Sequence, residues 1–131
     1  MENSAPLSAF CPAFHKAVEL IGKRWTGAIL RAMRSGCVRF SDISEAVPGL
    51  HDRLLSERLK ELEHEGVVER IVIPEMPVRI EYHLTSKGLA LDSVMDSISA
   101  WAHDWVVITS SDPECESAVA ALVALDKALT S

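Results

Sequence analysis

The chain has 131 residues, 48% of them hydrophobic and 24% charged, with a formal net charge of −6; this is the profile of one soluble globular domain. Collagen-like, low-complexity and wholly disordered chains are excluded, and apolar runs such as Ala118 to Leu125 fall well short of the ~20 residues that span a bilayer. The three cysteines, Cys11, Cys37 and Cys115, are odd in number and lack CxxC spacing, so neither a disulfide framework nor a zinc knuckle is expected.

The N-terminus shows no signal-peptide pattern, so the expected compartment is the cytoplasm, with no membrane partner. Charge is unevenly spread. Between Lys23 and Lys87 lie eleven of the 13 Lys/Arg against ten of the 19 Asp/Glu. The middle therefore carries nearly all the cations and the ends are acidic. A local basic face on an acidic protein is compatible with DNA binding, because phosphates respond to the local field.

Residues 1–10 read as a flexible arm. Pro12 opens a helix with Phe14, Val18 and Ile21 at helical spacing, ending at Gly22. A second helix is predicted from Trp25 to Met33, ended by Ser35-Gly36. Ser41 is the expected N-cap of a short third helix with Ile43, Ala46 and Val47 as its apolar face. Pro48-Gly49 is a turn, and a fourth helix runs from about His51 to Glu65, with Leu55, Leu59 and Leu62 as its core stripe and Gly66 as its C-cap. Two short helices joined by Val47-Pro48-Gly49-Leu50 have the form of a helix-turn-helix.

After Gly66 the period changes. Residues 67–73 and 78–84 read as two strands of a hairpin around a Pro74-to-Pro77 tip. Thr85-Ser86-Lys87-Gly88 then leads into one long helix from Leu89 to about Ile108, striped by Leu91, Val94, Met95, Ile98, Trp101, Ala102 and Trp105. Ser110 to Pro113 is a break, and residues 115–129 are a last helix.

This order of elements is a mainly α fold with a small β-hairpin wing, a winged helix-turn-helix with terminal helices. It resembles the HxlR-type bacterial transcriptional regulators, relatives of the MarR group. The matching segments are Cys11-Pro12, residues 21–25 (IGKRW), 39–43 (RFSDI), 55–63 (LSERLKELE), 66–70 (GVVER) and 79–88 (RIEYHLTSKG), with Trp101 closing the pattern. The resemblance covers roughly residues 11–105, so residues 11–109 are read as the family domain and 110–131 as an extra C-terminal segment.

The candidate sites follow. On the 51–65 helix, Arg53, Glu57, Lys60 and His64 lie opposite the leucine stripe, with Ser56 on the flank. A recognition helix enters the major groove N-terminal half first. Arg53 and Ser56 are therefore the base-edge candidates and Lys60 a phosphate contact, although an ordinary solvated helix face carries the same pattern. Arg58, nearer the buried edge, is expected to be structural. Arg79 at the wing is a groove or backbone contact, or a solvent-facing strand residue. Ser41 would cap its helix and also donate to phosphate. Lys23 and Arg24 are either flanking phosphate contacts or loop cations.

Cys11 precedes Pro12 at the head of the first helix, where the helix dipole favours thiolate. The resemblance implies a cysteine here that senses quinones, aldehydes or oxidants; the plain alternative is a small residue that happens to be Cys. Cys37 and Cys115 are the other thiols, and the sequence does not choose a partner for Cys11. The resemblance also implies that the terminal helices form a homodimer interface. Phe14, Val18, Met95, Ile98, Trp101 and Trp105 would pack in it, line an effector pocket, or simply be core. A two-fold dimer reads an inverted repeat in double-stranded DNA. No metal site, cofactor or enzymatic motif is expected: there is no HxxxH, HExxH, phosphate-binding loop or GxSxG elbow. The functional expectation is a DNA-binding regulator, more often a repressor, with a small electrophile or oxidant as effector. The alternatives are a regulator answering a small molecule without a thiol switch, or a winged helix used only for protein contacts.

Overall fold

A computed structural model describes residues 10–108. The chain runs α1 (Pro12–Ile21), α2 (Thr26–Arg34), α3 (Phe40–Ala46), α4 (Asp52–His64), β1 (Val68–Ile73), β2 (Arg79–Leu84), α5 (Ser86–Leu89) and α6 (Asp92–Trp105). The expected N-terminal arm, Cys115 and the helix at 115–129 lie outside the described residues.

The core follows from the helical stripes. Leu55, Leu59 and Leu62 of α4 meet Ile29, Leu30 and Met33 of α2 and Ile43 of α3, all buried. Burial of one such side chain is worth about 1.5–3 kcal/mol. α4 stops where Gly66 takes φ +77, and the amides of Gly66 and Val67 bond back to Glu63 O and Leu62 O at 3.0 and 2.9 Å. This is the helix-ending motif that a left-handed glycine permits. It uses the Val67 amide, so β1 begins at Val68, one residue later than the pattern suggested.

β1 and β2 pair antiparallel with Val68 opposite Leu84 and Ile73 opposite Arg79. Val38 O accepts from Tyr82 N at 2.7 Å, which stitches the α2–α3 connection to the hairpin. The mainly helical fold with its two-stranded wing is the winged helix-turn-helix expected from the sequence.

Three boundaries differ. α2 starts at Thr26, because Trp25 has a left-handed backbone (φ 76). That turn carries its ring to Gly49 of the helix-turn-helix loop, where a Cβ would sit 3.3 Å from Trp25 Cη2. Ser41 is not an N-cap: α3 begins at Phe40, with extended Arg39 before it and no side-chain cap. Phe40 packs against the core and draws the helix start forward. The long helix expected from Leu89 to about Ile108 runs only from Asp92 to Trp105, with a separate short helix, α5, before it. Thr85 caps α5, its hydroxyl accepting from Gly88 N and donating to Gly66 O at 2.6 Å. Gly88 lies so close to Val67 O that a Cβ would strike it. α5 is thus pinned against Val67, just ahead of β1, and α6 begins at Asp92. It ends at Trp105, where Val106 turns extended.

α6 leans on α2 through charge rather than apolar packing. Arg34 reaches Asp92 at 3.1 Å and Asp96 at 2.8 Å, and Arg31 reaches Asp96 at 3.0 Å. Arg31 also donates to Ser99 Oγ. Met95 closes the contact, its terminal methyl against Gly27 of α2. No described helix is long and apolar enough to cross a membrane.

Candidate nucleic-acid interface and sensor thiol

α4 carries the candidate recognition face. Its three leucines are inside, and the Arg53 side chain on the opposite side is 94% exposed, with Glu57 at 3.9 Å. Lys60 is exposed and Ser56 half-buried, as the helical periodicity placed them. Arg53, Ser56 and Lys60 therefore share one outward face in the first two turns and a half of α4.

The register of α4 against α3 is fixed locally. Val47 and Leu50 of the connecting turn are buried, Gly49 takes φ +89 under the Trp25 ring, and Ser44 Oγ donates to Asp52 Oδ1 at 2.9 Å. Asp52 thus ties the two helices at the start of α4, a role its charge alone did not reveal. Arg58 is structural, as expected: its Nε donates to Arg24 O at 2.9 Å and its guanidinium reaches Glu61 at 3.2 Å. Lys23 pairs with the same Glu61 at 3.2 Å, and Arg24 lies over the Trp25 ring at 5.6 Å.

Ser41 is exposed on the first turn of α3. It can donate outward, without the capping bond that was expected. Arg79 is not a bare cation at the wing tip. Its guanidinium lies between Glu75 at 3.3 Å and Glu81 at 3.0 Å, and Nε, close to Glu81, is buried and out of line for a hydrogen bond. Arg79, Glu81 and His83 alternate on one face of β2. The His83 hydrogen bond, at 2.8 Å, is the main cause holding the Glu81 carboxyl below its ordinary pKa, with Arg79 adding to it.

Cys11 stands at the N-cap of α1, exposed, with its side chain making no cap bond. His15 is turned to other partners: its ring is 5.1 Å from Phe10 and its Nε2 3.6 Å from Glu19. Cys37 is half-buried against the core, and both cysteines are free thiols.

The stripe predicted on the last helix divides. Leu91, Met95 and Ala102 turn partly inward. Ile98, Trp101 and Trp105 face out, with exposure rising from 49% to 73% along the helix. Phe14 and Val18 are exposed in the same way on α1. Met95 therefore belongs with the α2 contact and not with the outward stripe. Among the described residues no cluster of His, Cys, Asp or Glu is placed to hold a metal ion.

Sequence reasoning missed the Arg31–Arg34–Asp92–Asp96 network. Its only trace was spacing, two arginines three apart and two aspartates four apart, each pair on one helix face.

Residues 20–110 match the HxlR-like helix-turn-helix family. The chain is 56% identical to the uncharacterized HTH-type transcriptional regulator YvaP of Bacillus subtilis, over 76% of this chain and 92% of YvaP. It is 42% identical to the HTH-type transcriptional regulator YodB of the same organism, over 83% of this chain and 96% of YodB. The reduced form of YodB superposes with a TM-score of 0.68 at 44% identity, covering 74% of this chain and 95% of that one. The diamide-treated form gives 0.65 at 44% identity, covering 74% and 96%. The quinone-bound form gives 0.64 at 42% identity, covering 73% and 100%. With its helix-turn-helix, its hairpin wing and this match over most of its length, the chain belongs to the HxlR-like helix-turn-helix family of transcriptional regulators.

Proposed function

We propose that the protein is a homodimeric, sequence-specific DNA-binding regulator, a repressor and not an enzyme, that works in the cytoplasm on an inverted-repeat operator. The observation that carries this reading is the exposed Arg53–Ser56–Lys60 face on a recognition helix whose opposite side is fully buried. Arg53 and Ser56 address base edges in the major groove and Lys60 a phosphate. Ser41 donates to the backbone from the start of α3. Arg79 follows the wing into contact with the duplex by exchanging Glu75 or Glu81 for phosphate. The outward residues Phe14, Val18, Ile98, Trp101 and Trp105 form the two-fold interface, which sets two recognition helices about one DNA turn, or a multiple, apart. The domain is residues 11–109, with 1–10 an arm and 110–131 an appendage.

Cys11 is the sensor. Support comes from its exposure at the start of α1 and from the diamide-treated and quinone-bound forms of the similar YodB. A Cys11 thiolate adds its sulfur to a quinone ring carbon. The electron pair passes to a quinone oxygen, which takes up a proton. The ring C–H proton at the new C–S bond then moves to the second quinone oxygen, leaving a hydroquinone thioether.

The test is a gel-shift titration of reduced protein on DNA from upstream of its own gene, with and without benzoquinone. Tight, salt-sensitive binding that quinone abolishes in the wild type and spares in Cys11→Ser is expected. Binding that responds to quinone equally in Cys11→Ser removes the thiol role. No specific binding, either there or on selected random sites, removes the DNA-binding reading in favour of a protein-contact module.

A further inference from the structure

Along α1, Ala13, Ala17 and Leu20 fall on one side at helical spacing, about a third of a turn from Phe14 and Val18. With Val67, Leu91 and Val94 they line a groove of about 380 Å³ between α1 and the winged body. Among the described residues nothing fills it, and α1 buries none of its side chains. Lys16, Lys87 and Glu65 stand on the rim. Lys87 is engaged there, its Nζ donating to Glu65 O at 2.6 Å. Lys16 has no hydrogen bond or ion pair among the described residues.

The family match ends at residue 110, and the sequence that follows is apolar. From Ser117 to Leu125 the chain runs without a charge. At helical spacing Cys115, Ala118, Leu122, Leu125 and Leu129 form one stripe, and Val119 and Val123 widen the apolar surface beyond it. A helix apolar on nearly every side needs cover. The charges are complementary as well. Residues 109–131 hold Asp112, Glu114, Glu116 and Asp126 against Lys127 alone, opposite to a rim with two cations and one anion. Asp126 lies at the edge of the leucine stripe, one helical turn from Leu122. The reach is sufficient. Leu91 lies about 20 Å back along α6 from Val106. Thr109 to Glu114 extend up to about 20 Å, and a helix over 115–129 adds about 22 Å.

We propose that residues 115–129 fold back as a helix into the groove of their own chain, with Leu122, Leu125 and Leu129 on Ala17, Leu20 and Val67, and with Asp126 at Lys16. The segment clamps α1, and with it Cys11, against the winged body. This contact lies within one chain and does not depend on the DNA-binding reading.

The experiment uses the full, reduced chain. Nuclear Overhauser contacts are expected between the methyls of Leu122 or Leu125 and those of Val67 or Val94. They should vanish when leucine-labelled and valine-labelled chains are mixed, because the labels then sit on different molecules. Leu125→Asp should accelerate amide exchange along α1 about tenfold or more, the scale of uncovering one leucine. Ala120→Asp, on the opposite side of the segment, should leave α1 unchanged. Lys16→Glu should accelerate it about threefold, as for an exposed ion pair, and Asp126→Lys added to it should restore the protection. Contacts that persist in the mixed-label sample overturn the proposal in favour of a second copy in the groove. Absence of contacts in the wild type, equal acceleration by Ala120→Asp and Leu125→Asp, or a double charge variant no better protected than Lys16→Glu also overturns it. The wild-type contacts decide the matter even where Leu125→Asp fails to fold.

Discussion

The winged body and the two helices that flank it are held by different forces. In the body, Ile29, Ile43 and Leu55 are wholly buried. α1 and α6 bury no residue completely; α6 is attached through Arg31, Arg34, Asp92 and Asp96, with Met95 beside them, and its Ile98, Trp101 and Trp105 point outward. Fold stability therefore belongs to the body, and the outer helices are left for the proposed assembly. An apolar stripe that no described residue covers, on a helix tied to α2 by ion pairs, is suited to a partner surface.

The largest expected effect breaks the body. Leu55→Ala should cost about 2–5 kcal/mol, because it removes a fully buried side chain and leaves a cavity in a packed core. Urea unfolding followed by circular dichroism measures it. A loss below 1 kcal/mol would mean that the body does not carry the stability.

The converse change sharpens the contrast. Ile98→Asp with Trp101→Ala should leave the unfolding of each chain little altered but weaken self-association by about 2 kcal/mol or more, some thirtyfold in dissociation constant. Sedimentation equilibrium reads the dimer and circular dichroism the fold. A variant that unfolds instead of dissociating would show that α6 belongs to the core after all.

Within the body, buried and outward faces of α4 should separate in the same way. Arg53→Ala should keep stability within about 0.5 kcal/mol and cost about 1–3 kcal/mol of discrimination on specific DNA. Lys60→Ala should weaken binding to all sequences alike and reduce the salt slope by about 1. Equal losses on specific and random DNA for Arg53→Ala would take it away from the base edges.

The body was also the more legible half. Leu55, Leu59 and Leu62 at spacings of four and three, closed by Gly66, predict both the helix and its buried side, because periodicity and capping are local. What escaped was tertiary. Phe40 draws the start of α3 ahead of Ser41, Trp25 leaves the helical region to cover Gly49, and Gly88 against Val67 seats a separate short helix ahead of α6. Each outcome depends on a contact between residues distant in sequence. The candidate site divides similarly. Arg53, Ser56 and Lys60 fall where helical spacing puts them. Arg79 turns out to be held by carboxylates, of which Glu81, two residues along the same strand face, was the one the pattern offered. Met95 left the outward stripe because α6 approaches α2 at Gly27, a crossing no single-helix pattern contains.

The smallest expected effect tests how α6 is attached. The Asp96 carboxyl is held below its ordinary pKa, first by the Arg34 hydrogen bond and then by Arg31, while Arg34 is raised in turn by Asp96 and Asp92. A carboxylate with a depressed folded value binds protons more readily when released, so its contribution is complete above the unfolded value, near pH 4. It is lost as pH falls through the folded value below that. These groups are exposed, so the contribution to global stability is small, and the consequence is local. Below about pH 4 α6 should loosen from α2 while the leucine core persists. Amide exchange along Asp92 to Trp105 should therefore accelerate in acid ahead of exchange in α4. Asp96→Asn should make α6 exchange fast at neutral pH and remove the acid step. If α6 and α4 lose protection together, and Asp96→Asn leaves that profile unchanged, the helix is held by packing and the division between an apolar body and charge-tethered arms does not stand.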